Sequence, residues 1–172
     1  MTGTQLFSSK TLNADITEID YKTDDANFIL QICNNIGKYG AGLSGALSRK
    51  WPNVESDYRA WFNNKPGNLD MGLIQISTMD THLAVVNMVA QYGVRSHTNP
   101  NPMDYKALEM CLIRLFGILA QLALKHRNSK RFKIWCPKIG SGLAGGDWSI
   151  IKPMVEHWFV DRDFELTFVE FE

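Results

Sequence analysis

An α/β layered domain is the fold class that this sequence predicts, and three observations predict it. Short apolar runs of strand length alternate with segments of helical period. The longest helical segment is apolar along one face, which asks for a sheet to cover. Two of the strand-like runs lead through glycine-rich loops into helices, as strands of such domains do. At 172 residues, the chain has the length of one domain, about 100–200 residues, and residues 1–172 read as a single unit.

Each element follows from local pattern. Asn27 to Cys33 is an apolar run that ends in Asn34-Asn35 and then glycines, the signature of a buried central strand breaking into a loop. Gly42 to Lys50 forms a short helix, and Asn53 is placed to N-cap a second over Val54 to Phe62. After the turn residues Asn63 to Gly67, Met71 to Ser77 and Leu83 to Ala90 read as two strands joined by a polar turn. A helix from near Tyr105 carries Leu108, Cys111, Leu112, Leu115, Phe116, Leu119, Leu122 and Ala123 at spacings of three and four. Phe132 to Cys136 is a further buried strand, followed by a helix from Trp148 to about Phe159 and a last strand from Glu165 to Phe171. Pro153 predicts a bend or a late start in that helix.

Composition narrows the function. Lysine plus arginine number 18 and aspartate plus glutamate 18, so nothing in the net charge favours nucleic acid, and 11% aromatic residues argue against disorder. The best basic cluster, Lys125, His126, Arg127, Lys130, Arg131 and Lys133, falls where a helix ends and reads as a solvated C-terminus favoured by the helix dipole. Met1 to Lys10 lacks the apolar core of a signal peptide. Leu115 to Leu124 is about half of the roughly 20 residues that span a bilayer. The sequence thus predicts a cytoplasmic protein with no membrane partner. Cys33, Cys111 and Cys136 form no C-x-x-C pair, and His82, His97, His126 and His157 have no metal-ligand spacing, so no metal is expected.

The chemistry is carried by two loops, Asn34 to Gly45 and Pro137 to Trp148. Glycine permits positive φ and close approach of a ligand, so successive N–H groups can converge on an oxyanion. A helix that starts immediately afterwards adds its own free N–H groups and the positive end of its dipole. Either loop alone reads equally well as a tight turn; the pair at equivalent strand ends points to a diphosphate gripped from two sides. No Gly-Lys-Ser/Thr follows either loop, which excludes a Walker site. Gly40 to Gly45 fits G-x-G-x-x-G without the acidic residue that a dinucleotide fold places about 20 residues on.

With these motifs in view, the chain resembles the macrodomains, a family that binds ADP-ribose. Asn13 to Thr17 is similar to the family's early G-D-I/L motif. Cys33-Asn34-Asn35 with Gly40-Ala41-Gly42-Leu43-Ser44-Gly45-Ala46-Leu47 is similar to its first loop, and Pro137-Lys138-Ile139-Gly140-Ser141-Gly142-Leu143 to its P-x-I-G-x-G-L phosphate loop. The late motif followed by Trp148 looks closest to the subgroup with ADP-ribose 1''-phosphate phosphatases and glutamyl-ADP-ribose hydrolases, and phage-encoded relatives are similar, which would put the protein in a host cytoplasm. The resemblance implies a three-layer α/β/α macrodomain with a central mixed sheet and a partner that is ADP-ribose, a derivative of it or an ADP-ribosylated macromolecule, with no cofactor.

Residue roles follow from the same resemblance. Asp15, beside Ile16, would accept from the adenine amine. Asn34 and Asn35 would divide between holding the distal ribose and tying the loop down. Gly40, Ala41, Gly42, Leu43 and Ser44 on one side, and Ile139, Gly140, Ser141, Gly142 and Leu143 after Pro137 on the other, would cradle the diphosphate. Phe171 is the candidate cover for adenine.

Catalysis is less determined. Hydrolases of this family usually carry an aspartate and a histidine where this chain has Ser44 and Ser48. The glutamyl-ADP-ribose hydrolases have a lysine after the strand that here ends at Ala90-Gln91-Tyr92, and an aspartate where this chain has Ala144. A phosphatase acting on ADP-ribose 1''-phosphate asks less of the protein, with backbone amides absorbing charge and a carboxylate orienting water. Asp147 is the candidate general base, with Asn35 positioning; Asp147 is also a good N-cap. His82 and His97 are secondary candidates. The alternative is a domain that captures ADP-ribose or a related NAD-derived signal without turnover.

Overall fold

The computed structural model describes residues 8–126, 128–160 and 163–171. Arg127 of the basic cluster and the first seven residues lie outside the described residues. In chain order the elements are β1 (Lys10–Asn13), β2 (Ala26–Asn34), α1 (Gly42–Lys50), α2 (Pro52–Asn63), β3 (Ile74–Asp80), β4 (Leu83–Gln91), α3 (Tyr105–His126), β5 (Phe132–Pro137), α4 (Trp148–Phe159) and β6 (Phe164–Glu170).

The six strands form one sheet in the order β1-β6-β5-β2-β4-β3. All neighbours pair in parallel except β3, which runs antiparallel to β4. Five strands therefore end at one edge of the sheet, and the loops that leave them gather there. Alternation along the strands builds the two faces. Phe28, Leu30, Val86, Met88, Ile134, Leu166 and Phe168 pack under α3 and α4. Ile29, Val85 and Val169 pack on the other side with Leu47 of α1 and Val54 of α2. This is the three-layer α/β/α architecture with a central mixed sheet.

The strand β2 sits in mid-sheet and is buried at seven of its nine positions, Ala26 and Ile32 being half-buried, so its mostly apolar run is that of a strand covered on both faces. Over an 18-residue window α3 has a mean hydropathy of 1.8, long and apolar enough to cross a membrane. Here Leu108, Leu112, Leu115 and Leu119 are buried in the core instead, and Arg114 donates through Nη1 to the Gly72 carbonyl at 2.7 Å.

Several local expectations shift. The second helix begins at Pro52, with Trp51 rather than Asn53 as N-cap. Proline at the first helical position lacks an N–H that would go unused anyway, and Asn53 donates to the Thr78 carbonyl at 3.0 Å. The strand expected from Met71 runs from Ile74, three residues later, beyond Gly72 at φ +90°. Pro153 lies inside α4 without delaying its start, because Asp147 caps the helix before Trp148. Strand β1 carries no alternating pattern, since all four residues are exposed, and only its pairing with β6 defines it.

Candidate functional site

At the edge where the parallel strands end, a cavity of about 570 Å³ opens between the loops after β2, β4 and β5, within the size range of small-molecule sites. Asn34, Gly40 to Ser44, Ile139, Gly140, Gly142 and Leu143 line it. The two glycine loops, distant in sequence, thus face one space because β2 and β5 are adjacent and parallel.

Backbone conformation explains the glycines. Gly37, Gly40 and Gly42 in the first loop and Gly140 and Gly145 in the second have positive φ. At Gly140 a Cβ would also meet Ile32 at 2.9 Å. Gly142 is different: its φ is unstrained and nothing lies within 4 Å of an added Cβ. Among the described residues, the N–H groups of Gly40, Ala41, Gly42, Leu43 and Ser44, and those of Gly140, Ser141, Gly142, Leu143 and Ala144, donate no hydrogen bond within the protein. The N-cap of α1 is Ala41, with no side-chain cap and no acidic residue in the first turn. Free donors and an uncapped helix N-terminus are the elements of an anion site.

Side chains add to that polarity. Lys38, Arg95 and Lys138 line the cavity, and no aspartate, glutamate or histidine is among its lining residues. Among the described residues, the ion-pair contact of Lys138 is a long one to Glu170, 3.9 Å. Cys33 reaches the wall, but burial pushes its thiol far above the ordinary value, next to a smaller contribution from Cys111. It is a protonated, apolar wall group rather than a nucleophile.

The two asparagines take different tasks. Asn34 Oδ1 accepts from the N–H groups of Ile36 and Lys38, both at 3.1 Å, and Asn34 Nδ2 donates to the Lys38 carbonyl at 2.6 Å. Its amide is spent on shaping the loop. Asn35 is buried and its Oδ1 accepts from Gly93 N–H at 2.8 Å, which ties the β2 loop to the loop after β4.

Other expected residues stand outside the lining. Asp15 follows β1, and its Oδ1 accepts from Thr17 N–H at 2.9 Å and Thr17 Oγ1 at 2.7 Å. These bonds, the backbone one first, hold its carboxyl below the ordinary range. Ile16 is buried in the core beneath α1, and Pro137 is the buried last residue of β5. Ser141 donates to the Lys138 carbonyl at 2.9 Å. Phe171 lies just past β6 and is 75% exposed.

Asp147 is an N-cap: Oδ1 accepts from Ser149 N–H at 2.9 Å and from Ser149 Oγ at 2.6 Å, and the hydroxyl bond leads in lowering its pKa. Its Oδ1 is committed to α4, and the residue is not part of the cavity wall. His82 precedes β4 at the opposite sheet edge, near Asp80, and His97 is exposed.

Sequence reasoning missed Lys38, Tyr39, Gln91, Val94, Arg95 and Lys138. The signal for Arg95 was its place just after a third parallel strand; a lone arginine in a loop of Gly, Asn and Pro carries no motif.

Neither a protein-family model nor a curated protein sequence matches the chain. Solved structures do. A Bacteroides thetaiotaomicron protein of unknown function is 27% identical, with a TM-score of 0.76 over 95% of this chain and 98% of that one. A macrodomain protein from Streptomyces coelicolor is 28% identical, with a TM-score of 0.75 over 94% of this chain and 98% of that one. A mutant Oceanobacillus iheyensis macrodomain, solved with ADPR, shares the fold at 16% identity, with a TM-score of 0.63 over 94% of this chain and 83% of that one. With a mixed sheet between two helical layers, two glycine loops at one cavity and near-complete overlap with the Streptomyces protein, this chain has the macrodomain fold.

Proposed function

We propose that the cavity binds ADP-ribose or a derivative of it, with the diphosphate between Gly40 to Ser44 and Gly140 to Ala144. One observation carries this reading: among the described residues, nine free backbone N–H groups and three cationic side chains line one cavity without a carboxylate in its wall. Such a site suits a charged diphosphate held by preorganised donors. The macrodomain solved with ADPR supports the choice of nucleotide.

The strand order supports an orientation for the ligand. Asp15 and Phe171 follow β1 and β6, on one flank of the phosphate loops, while Arg95 follows β4 on the other. Adenosine goes to the first flank, with Asp15 Oδ2 accepting from the adenine amine, Ile16 supporting that turn and Phe171 covering the ring. The distal ribose goes to the second, beside Asn35. Pro137 and Ser141 shape the second loop.

Binding without turnover is the reading that the wall favours, because no carboxylate or imidazole in it can take a proton from water. Removal of a group from the distal ribose is the second reading, and Lys38, Arg95 and the free N–H groups favour a phosphate as that group. Water would attack phosphorus of ADP-ribose 1''-phosphate, the bond to the ribose oxygen would break, and inorganic phosphate and ADP-ribose would leave. The cations and amides would absorb the transition-state charge.

Calorimetric titration with ADP-ribose, AMP and NAD tests the binding, and phosphate release from ADP-ribose 1''-phosphate tests the chemistry. Micromolar affinity, about -8 kcal/mol, selective for ADP-ribose is expected. Binding with no phosphate release assigns capture; release that survives EDTA assigns a metal-independent phosphatase. No binding of any of the three rejects the proposal.

A further inference from the structure

Three amides stand side by side across the sheet. Gln31 on β2 pairs in register with Asn87 on β4, and Asn87 pairs with Gln75 on β3. Gln31 and Asn87 are completely buried. They form one hydrogen-bonded row that starts at the cavity. Ser44 Oγ, in the wall, donates to Gln31 Oε1 at 3.1 Å. Gln31 Nε2 donates to Asn87 Oδ1, Asn87 Nδ2 to Gln75 Oε1 at 2.9 Å, and Gln75 Nε2 to the Asp57 backbone carbonyl on α2 at 2.9 Å. The second hydrogen of Gln31 Nε2 goes to the Tyr39 hydroxyl at 2.7 Å.

The direction of the row has one cause. A backbone carbonyl can only accept, so Gln75 must present its NH2 to Asp57 and its oxygen to Asn87. Asn87 must then present its oxygen to Gln31, and Gln31 its oxygen to Ser44. Each reversal would set like ends of two amides against each other in the interior, where unpaired polar groups are costly. The single hydroxyl hydrogen of Ser44 is thereby committed inward, and its side chain offers the cavity an acceptor alone.

We propose that this amide row makes Ser44 a specificity residue that selects a ligand hydroxyl, and that Gln31, Asn87 and Gln75 are positioning residues acting through it. A phosphate oxygen at neutral pH has no hydrogen to give the Ser44 hydroxyl; a sugar hydroxyl has one. The Ser44 backbone N–H stays available to the diphosphate while its side chain reads the adjoining sugar. This inference rests on the reading of the cavity as a site for a nucleoside diphosphate sugar.

The test uses the full chain, with ADP-ribose and ADP, which lacks the distal sugar, as calorimetric probes. Side-chain NH2 resonances of Gln31 and Asn87 are followed by NMR without ligand. Ser44→Ala is expected to weaken ADP-ribose about five- to tenfold, the value of one hydrogen bond, and to leave ADP unchanged. Gln75→Lys, two strands from Gln31, places a group there that only donates; the row should reverse, shift both NH2 resonances and give the same loss for ADP-ribose alone.

An unchanged ratio of ADP-ribose to ADP affinity in Ser44→Ala overturns the hydroxyl selection. Unmoved resonances in Gln75→Lys, with the ratio kept, overturn the row as its cause. A wild-type chain that binds neither probe rejects the nucleotide site and the role of Ser44 with it, whereas the ligand-free resonances still decide whether the row transmits.

Discussion

The Tyr58 hydroxyl of α2 donates to the Asn34 backbone oxygen at 2.8 Å and sits 3.0 Å from Asn34 Oδ1. The same hydroxyl accepts from Gly37 N–H at 3.1 Å, so one buried phenol closes the loop from both ends. Burial, first among the causes, raises its pKa well above the ordinary tyrosine value, and it stays protonated across the working range. Tyr58→Phe should lower stability by about 1–2 kcal/mol in urea unfolding and weaken ADP-ribose binding, because the loop loses its anchor. Full retention of both would show that the Asn34 side chain shapes the loop without help.

Gly142→Glu is the sharpest test of the phosphate site. The position has open space and ordinary φ, so the fold should persist with a nearly unchanged melting temperature. A carboxylate facing the diphosphate should cost several kcal/mol, a loss of about 100-fold or more in affinity. Gly42→Glu is less clean, because Gly42 has φ +57° and any side chain there is strained.

Arg95→Ala should weaken ADP-ribose about 10- to 100-fold, in the range of a hydrogen bond to a charged group, and flatten the dependence of affinity on salt. Titrations at two ionic strengths measure it. An unchanged salt dependence would place the Arg95 charge in solvent rather than on the ligand.

Asp147→Ala separates capping from catalysis. Loss of the bonds to Ser149 should lower the melting temperature without changing ADP-ribose affinity. Should phosphate release be found in the wild-type chain, its persistence in Asp147→Ala would exclude this carboxylate as the general base, and its abolition would restore it.

Acid should act through the same turns. Asp15 and Asp147 are held below the ordinary carboxylate value by Thr17 and Ser149. Their contribution is present above the unfolded pKa, about 3.9, and is lost as pH falls through the lower folded values. Thermal melts should be insensitive to these two groups from pH 8 to 5 and should record their loss below about pH 4. The fall should be shallower in Asp147→Ala.

By itself the sequence determined the elements whose burial leaves a period, and the loops whose geometry needs glycine. Asn27 to Cys33 could be read because a mid-sheet strand is apolar at most of its positions, and α3 because its apolar stripe recurs at three and four. The paired glycine loops were legible for the same local reason, positive φ and room for a ligand. Tertiary structure decided what depends on juxtaposition. The edge strand β1 exists only through β6, and Arg95 becomes a wall residue only because β4 ends beside β2. The row from Gln31 to Gln75 joins residues 44 positions apart in sequence, and Asp147 caps α4 through its bond from Ser149 N–H. Period and backbone preference act over a few residues and are written locally; charge, hydrogen bonding and access act through space, and only strand order brings their partners together.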